Sequence, residues 1–502
     1  MGPGGQRMLA EVAGWAGDLL TEVTGDPSTG VAGLAYDSAR VAPGDLFFCI
    51  KGARSDGHRF AAAARAAGAA SLCVERPTGA GLPEVVVTDA RVAMPRIAAG
   101  WFGRPADDLL MLGVTGTNGK TTTTFLIESI LRSAGMTTGL IGTIETRIAG
   151  RMRPGVRTTP ESLDLQGLLA EMRDARVEAV AMEVTSHALV LHRVEGVRFA
   201  SATFTNLSQD HLDFHRDMED YFAAKRSLFT SERAERGAAN VDDPYGRKLK
   251  ETAGIPTTGF GCSPDAEVRA EKIASGPSGT RFVIVTPRGE IDIETGLVGG
   301  FNVSNCLAAA AAALEADIAP DAVAAGIRAL RAVPGRFEAV DEGQPFTVVV
   351  DYAHTPDSLD NVLSEARRVV TARGAEARVV CVFGCGGDRD PGKRPLMGAV
   401  AARLADVVVV TSDNPRSEPP EKIIDEIVEG FLAVRSSGPD EIVADRRAAI
   451  AWAVGRARPN DVVVIAGKGH ESVQELADRT VPFDDRDVAR RALRALDAAG
   501  AR

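Results

Sequence analysis

The sequence predicts an α/β protein of three domains: a small N-terminal α/β domain (1–106), a central P-loop-type domain (107–335) and a C-terminal Rossmann-like domain (336–502). Three observations carry that expectation. A buried strand, a glycine loop and a helix start follow one another directly from Leu109 to Ala134. From about residue 336, apolar runs alternate with helical segments in the manner of a mostly parallel sheet. The length, 502 residues, suffices for about three domains of roughly 150 residues each.

Composition narrows the class. A formal net charge of −11 and a pI near 5.3 argue against a nucleic-acid surface, which needs clustered positive charge. No apolar run is long enough to cross a bilayer, and the opening Met-Gly-Pro-Gly-Gly-Gln-Arg lacks the charged and hydrophobic regions of a signal peptide. A cytoplasmic protein is expected. Six cysteines (49, 73, 262, 306, 381, 385) form no Cys-x-x-Cys, so they are expected reduced and mostly buried, with neither a zinc site nor a disulfide framework. All seven histidines lie in polar, acidic or glycine-rich segments at predicted element ends, where sites are built.

In the first domain, apolar runs at 44–50 and 70–74 flank an alanine-rich helix near 59–68. The polar clusters Tyr36–Arg40 and Gly52–His58 read by themselves as solvated loops.

The central domain opens on Leu109–Val114, then Thr115-Gly116-Thr117-Asn118-Gly119-Lys120-Thr121-Thr122. Ile127, Ile130, Leu131 and Ala134 then mark one helical face. Unpaired N–H groups and the helix dipole favour an anion at such an N-terminus, and the two glycines let the backbone approach it closely. Lys120 adds a mobile charge, and the Thr121 hydroxyl is placed to ligand Mg²⁺. The strict P-loop pattern wants glycine where Val114 stands, so the motif is the tighter Gly-Thr-Asn-Gly-Lys-Thr.

Thr159-Pro160 interrupts regular structure before a helix opening at Glu161. The strand 177–184 carries Glu183 at its C-terminal end, the ligand-binding edge of a parallel sheet, where a carboxylate suits Mg²⁺. A third strand, 199–204, runs into Thr205-Asn206-Leu207-Ser208-Gln209-Asp210-His211-Leu212-Asp213-Phe214-His215, a density of titratable groups typical of a site. A helix follows at 221–229, and by pattern alone its Lys225 is a solvated helix lysine. Asn240–Asp243 follows an apolar-poor turn, Gly299–Asn305 leads into a helix 306–315, and Val333–Glu338 breaks the pattern.

In the third domain, strands are expected at 346–351, 378–384, 406–411 and 461–466, each with polar residues past its end. Gly384–Arg389 approaches a dinucleotide loop, but Arg389 replaces the last glycine, which argues against NAD.

With these motifs in order from residue 36 to 471, the chain resembles the Mur ligase family, and within it the diaminopimelate-adding MurE type. The resemblance implies a ligase of peptidoglycan precursor synthesis, serving cell shape and division. ATP would activate the D-glutamate γ-carboxylate of UDP-N-acetylmuramoyl-L-Ala-D-Glu as an acyl phosphate, and the amine of 2,6-diaminopimelate would attack it. Both isomers offer two carboxylates, and the meso form is the expected one.

Lys120, Glu183, His211 and Lys225 would be catalytic. ATP would meet Gly116 to Thr122, Asn302, Arg336, Asp351 and His354. Mg²⁺, in two sites, would be held by Thr121, Glu183, His211 and Lys225, the last as an N6-carboxylated carbamate. The UDP-sugar and dipeptide would meet Ser38, Asp56, Gly57, His58, Thr158, Thr159, Ser186 and Arg193; Arg40 follows Asp-Ser-Ala where relatives often show Asp-Ser-Arg. Diaminopimelate would meet Arg389, Asp413, Asn414, Pro415, Arg416, Gly467 and Glu471, with Arg416 pairing its far carboxylate. A monomer binding no nucleic acid or membrane is expected. A lysine-adding relative, a folylpolyglutamate synthase and a P-loop kinase or ATPase remain the rival readings.

Overall fold

The computed structural model describes residues 5–52, 55–276, 279–374 and 376–500, with side chains as far as 496. Ala53 and Arg54 of the Gly52–His58 cluster, and the first four residues, lie outside the described residues. Three principal sheets follow one another along the chain.

The first is five-stranded, in the order Leu20–Thr24, Glu84–Val87, Ser71–Val74, Asp45–Phe48, Gly33–Ala35. It is parallel except at the Leu20–Thr24 edge. The helix Ala90–Trp101 starts at Asp89, whose carboxylate accepts from the backbone N–H of Arg91 and Val92. Its Ala93, Met94, Ile97 and Trp101 join the sheet's core, as does Leu163 of the second domain. The expected 59–68 helix is a 3₁₀ turn, Gly57–Phe60, followed by Ala61–Ala66.

The second sheet has eleven strands, with Leu110–Thr115 between Ala179–Glu183 and Phe199–Phe204, all parallel. Side-chain alternation sends Leu112 and Val114 to one face, under the helices Lys120–Ser133 and Gly300–Glu315. Met111 goes to the other face, against Leu165, Leu169 and Met172 of the helix Ser162–Asp174. The parallel run continues through Ala234–Asn240, Thr257–Gly261 and Val268–Gly276, and antiparallel strands finish both edges.

Two expectations here are corrected. The stretch before Asn240 is a strand, Ala234–Asn240, rather than an apolar-poor turn, and that strand, AERGAAN, has small inward residues because Phe229 and Thr257 crowd Gly237. The alanine-rich helix begins at Gly300, not 306, because the Glu365 carboxylate from the third domain accepts from the Gly300 N–H at 3.3 Å.

The third sheet orders Glu338–Val340, Thr347–Asp351, Val462–Ala466, Val379–Phe383, Val407–Val410, Glu441–Ile442, parallel save for the first strand. Its valine-rich strands are covered on both faces, as near-continuous apolar runs require. The polar segments past the strands of the second and third sheets meet across a shared cleft. No described helix is long and apolar enough to cross a membrane.

Candidate active site

The phosphate loop is held from behind by the segment after Phe204. Gly116 has φ +146, and a Cβ there would stand 1.9 Å from the Thr205 hydroxyl oxygen, so glycine is required. Thr205 Oγ1 donates to the Asn118 carbonyl at 2.6 Å, Asn206 Oδ1 accepts from the Asn118 N–H at 2.9 Å, and the Thr117 N–H reaches the Asn206 carbonyl at 2.9 Å. Gly119, at φ +84, precedes the helix Lys120–Ser133. Lys120 folds back over the loop, its Nζ donating to the carbonyls of Gly116 at 2.9 Å and Thr117 at 2.7 Å. Burial lowers the pKa of this ammonium, while Glu183 and Asp210 oppose the shift. Thr122 lines the same cleft.

Beside the loop, Thr121 Oγ1 donates to Glu183 Oε2 at 3.1 Å and accepts from Arg336 NH2 at 2.9 Å. The Thr143 N–H donates to Glu183 Oε1 at 2.8 Å, and its hydroxyl lies 3.0 Å from both Glu183 Oε2 and Thr158 Oγ1. Thr159 Oγ1 donates to the Glu183 carbonyl at 2.8 Å. His211, at φ +57, meets His187 edge-on, and burial holds the two imidazoles at about 3 and about 4, neutral at neutral pH. Ser186 Oγ lies 2.9 Å from His215 Nε2.

No group of three or more His, Cys, Asp or Glu suited to a metal occurs among the described residues. The Thr121 hydroxyl and the Glu183 carboxylate, 3.1 Å apart on the cleft wall that His211 also lines, nevertheless fit Mg²⁺, which keeps waters and binds through few protein oxygens plus phosphates.

Lys225 corrects the pattern-based reading of a solvated lysine, being 1 % exposed. Its Nζ donates to the Gly116 carbonyl at 2.7 Å and lies 4.5 Å from the centroid of the Tyr221 ring. Burial, reinforced by Lys120, pushes its pKa well below the usual lysine value. The i, i+4 pair Tyr221 and Lys225 was the available signal.

A cleft of about 670 Å³ joins this cluster to the third domain. Arg336 stacks on Tyr352 at 4.7 Å, and Asp351 Oδ2 accepts from the Phe337 N–H at 2.6 Å. Burial pushes the Asp351 carboxyl up to about 6, with Arg336 opposing. His354 Nδ1 lies 2.7 Å from the Tyr352 carbonyl. Asn302 stands behind the wall, donating to the Val298 carbonyl and accepting from Asn305, which lines the cleft. Sequence reasoning missed Asn305, Thr143 and Asp357; the Asp357 carboxylate accepts from the Asn118 amide at 2.7 Å.

Between the first and second domains lies another cavity of about 680 Å³, lined by Tyr36, Ser38, Arg40, Gly57, Arg157 and Glu161 among others. The loops read as solvated thus form a wall. Asp56 and His58 are used within the loop instead: Asp56 Oδ1 takes the His58 N–H and lies 2.7 Å from its Nδ1, while His58 Nε2 accepts from the Glu75 N–H. Buried Glu161 gathers Arg91, Arg157 and Arg193 at 3.2, 2.8 and 2.7 Å.

In the third domain, Arg416, at φ +52, donates through Nε to Glu475 Oε2 at 2.6 Å and through NH1 to the Gly387 carbonyl at 2.8 Å. The remaining guanidinium N–H groups have no partner among the described residues and are available to a carboxylate. The Pro415 carbonyl presses on Gly387. Asn414 Nδ2 donates to Glu471 Oε2 at 2.8 Å, and Asp413 abuts Gly467. Arg389 NH1 donates to the Asp388 carbonyl at 3.1 Å, and its side chain flanks Gly386, which Arg416 NH1 also approaches.

Sequence comparison matches the Mur ligase family catalytic domain at residues 30–100, the Mur ligase middle domain at 114–313 and the Mur ligase glutamate ligase domain at 335–469. The UDP-N-acetylmuramoyl-L-alanyl-D-glutamate–2,6-diaminopimelate ligase of Streptomyces coelicolor is 48% identical over 97% of this chain and 96% of its own length. That of Geobacillus kaustophilus is 48% identical over 92% and 95%. A solved structure of a ligase of the same name superposes with a TM-score of 0.67 at 31% identity, covering 98% of this chain and all of that one. The ADP complex of the MurF ligase of Thermotoga maritima shares the fold, with a TM-score of 0.63 at 18% identity. The chain belongs to the Mur ligase family.

Proposed function

We propose that this ligase uses ATP to join 2,6-diaminopimelate to the D-glutamate γ-carboxylate of UDP-N-acetylmuramoyl-L-alanyl-D-glutamate. The observation that carries the reading is the single cleft lined both by the phosphate loop with Thr121 and Glu183 and by the third domain's Asp351, Tyr352 and His354. Relatives at 43–48% identity that bear that ligase name support it.

A carboxylate and an amine do not condense at neutral pH, so the acid must first become an acyl phosphate. The carboxylate oxygen attacks the γ-phosphorus, and ADP leaves with the electron pair of the broken bond. Two anions must meet for that step, and Lys120, freed from the loop carbonyls, offsets their repulsion. Thr121, Glu183 and His211 would hold Mg²⁺, which supplies positive charge against the phosphates. The amine then attacks the acyl carbon, loses a proton, and phosphate departs.

Lys225 has the environment for a carbamate: burial shifts it toward the neutral amine, the form that adds CO₂ with an N–C bond formed and a proton released, and Lys120 would balance the new anion. Arg416 would take the far carboxylate of diaminopimelate, a charged hydrogen bond worth about 1.5–3 kcal/mol. Ser38, Arg40 and Gly57 would wall the UDP-sugar cavity, with Arg193 acting on it through Glu161.

Phosphate release with ATP and Mg²⁺ tests the reading. It should require UDP-muramoyl-dipeptide and diaminopimelate together. Full release without the amino acid would favour a simple ATPase or kinase, and equal use of lysine would favour the lysine-adding activity.

A further inference from the structure

Beyond the strand Val462–Ala466 the chain turns at Gly467 hard against Asp413. Its φ is +120, and a Cβ would stand 2.5 Å from Asp413 Oδ2. The next side chain, Lys468, turns inward and is wholly buried. Its Nζ donates to Asn414 Oδ1 at 2.9 Å and Glu471 Oε2 at 2.8 Å, with Asp413 Oδ1 at 4.0 Å. An ammonium so placed is tolerated only because oxygens pair it.

The consequence falls on its partners. Asn414 Oδ1 also accepts the Glu475 N–H at 3.1 Å, so both its lone pairs are occupied and Nδ2 must face Glu471. Glu471 Oε2 takes two donors, whereas Oε1 has no partner among the described residues, and the side chain keeps 25% of its exposure. One carboxylate oxygen is therefore anchored and the other presented.

We propose that Lys468 is a positioning residue for the amino-acid substrate, orienting the Asn414 amide and presenting the free Glu471 oxygen to the substrate's ammonium group. The proposal rests on the reading that Asn414, Arg416 and Glu471 receive the amino acid. Lys468 itself touches no substrate; it acts through the two residues it holds.

The test compares K468M, K468R and R416A with the parent enzyme by thermal melting and by KM for diaminopimelate, ATP and UDP-muramoyl-dipeptide. K468M should raise KM for diaminopimelate roughly 10- to 100-fold and leave that for ATP within about two-fold. K468R, which keeps the charge but not the point geometry, should raise it less. A parent-like diaminopimelate KM in K468M, or a common shift of all three constants, overturns the proposal. If R416A raises the diaminopimelate KM and K468M does not, the Lys468 role alone falls; if neither does, the reading of the site falls with it. Should K468M not fold, K468R carries the test, and parent-like constants in it overturn the proposal.

Discussion

Arg336 donates to the Thr121 hydroxyl at 2.9 Å, tying the segment that enters the third domain to the first turn of the phosphate-loop helix. The same hydroxyl donates to Glu183, so the guanidinium organises the group expected to hold the cation. Arg336→Ala should lower kcat/KM for ATP roughly 10- to 100-fold. Arg336→Lys should recover only part, since an ammonium cannot both stack on Tyr352 and reach Thr121 as a planar fork does. Steady-state kinetics in ATP check both, and a fully active Arg336→Ala would contradict the assignment.

Lys225 yields a chemical prediction. Lys225→Ala should lose about two orders of magnitude or more in kcat, since a carbamate there would help hold the cation that offsets charge on the transferred phosphoryl group. Small carboxylates such as formate should restore part of it by filling the vacated space. Native mass measurement in bicarbonate should find the mass of one CO₂ on the parent and none on the variant. Activity indifferent to both the substitution and added carboxylate would dispose of the carbamate.

The raised pKa of Asp351 carries a pH signature. Its carboxyl, ordinarily 3.8, stands at about 6 because burial penalises the charge, Arg336 pulling the other way. Between those values the native state binds more protons than the unfolded one, so this group's contribution falls as pH rises from about 4 to about 6 and its penalty is complete above that. Asp351→Asn, which can still accept the Phe337 N–H, should lose that slope and be more stable near pH 8, by up to about 3 kcal/mol. Melting temperature against pH for both proteins measures it; parallel curves would exclude the mechanism.

Glu161 joins two domains by holding three arginines, Arg91 from the first and Arg157 and Arg193 from the second. Glu161→Ala leaves those cations without their shared anion and should cost about 3 kcal/mol of stability. KM for UDP-muramoyl-dipeptide should rise with it, because Arg157 borders the cavity. Denaturant unfolding and substrate titration measure the two effects separately.

What the chain disclosed before folding follows the range of the interaction involved. The strand Leu110–Thr115 and the helix from Lys120 were legible because apolar run, glycines and helical face are contiguous. Ala234–Asn240 was not, since its inward residues are alanine and glycine fitted to Phe229 and Thr257 rather than β-branched. Lys225 showed only a helix position; its burial depends on Gly116, which is 109 residues away. Asp357 meets Asn118 across 239 residues, a pairing no local pattern announces. Asp56 and His58 were visible as polar residues, while their mutual pairing belongs to the folded loop.

Arg416 bears on substrate choice. With Nε on Glu475 and NH1 on Gly387, the guanidinium is fixed before any ligand arrives. Arg416→Ala should raise KM for diaminopimelate roughly 10- to 100-fold while leaving any use of lysine unchanged. Competition between the two amino acids in one reaction reads this directly, and an unaltered preference would refute it.

The most direct measurement follows the oxygen that carboxylate activation must give up. With heavy oxygen in the D-glutamate γ-carboxylate of the UDP-muramoyl-dipeptide, the enzyme turning over ATP and diaminopimelate should release inorganic phosphate carrying one labelled oxygen per amide bond formed. Phosphate released without label while the amide forms at the normal rate would contradict transfer of the phosphoryl group to the acid.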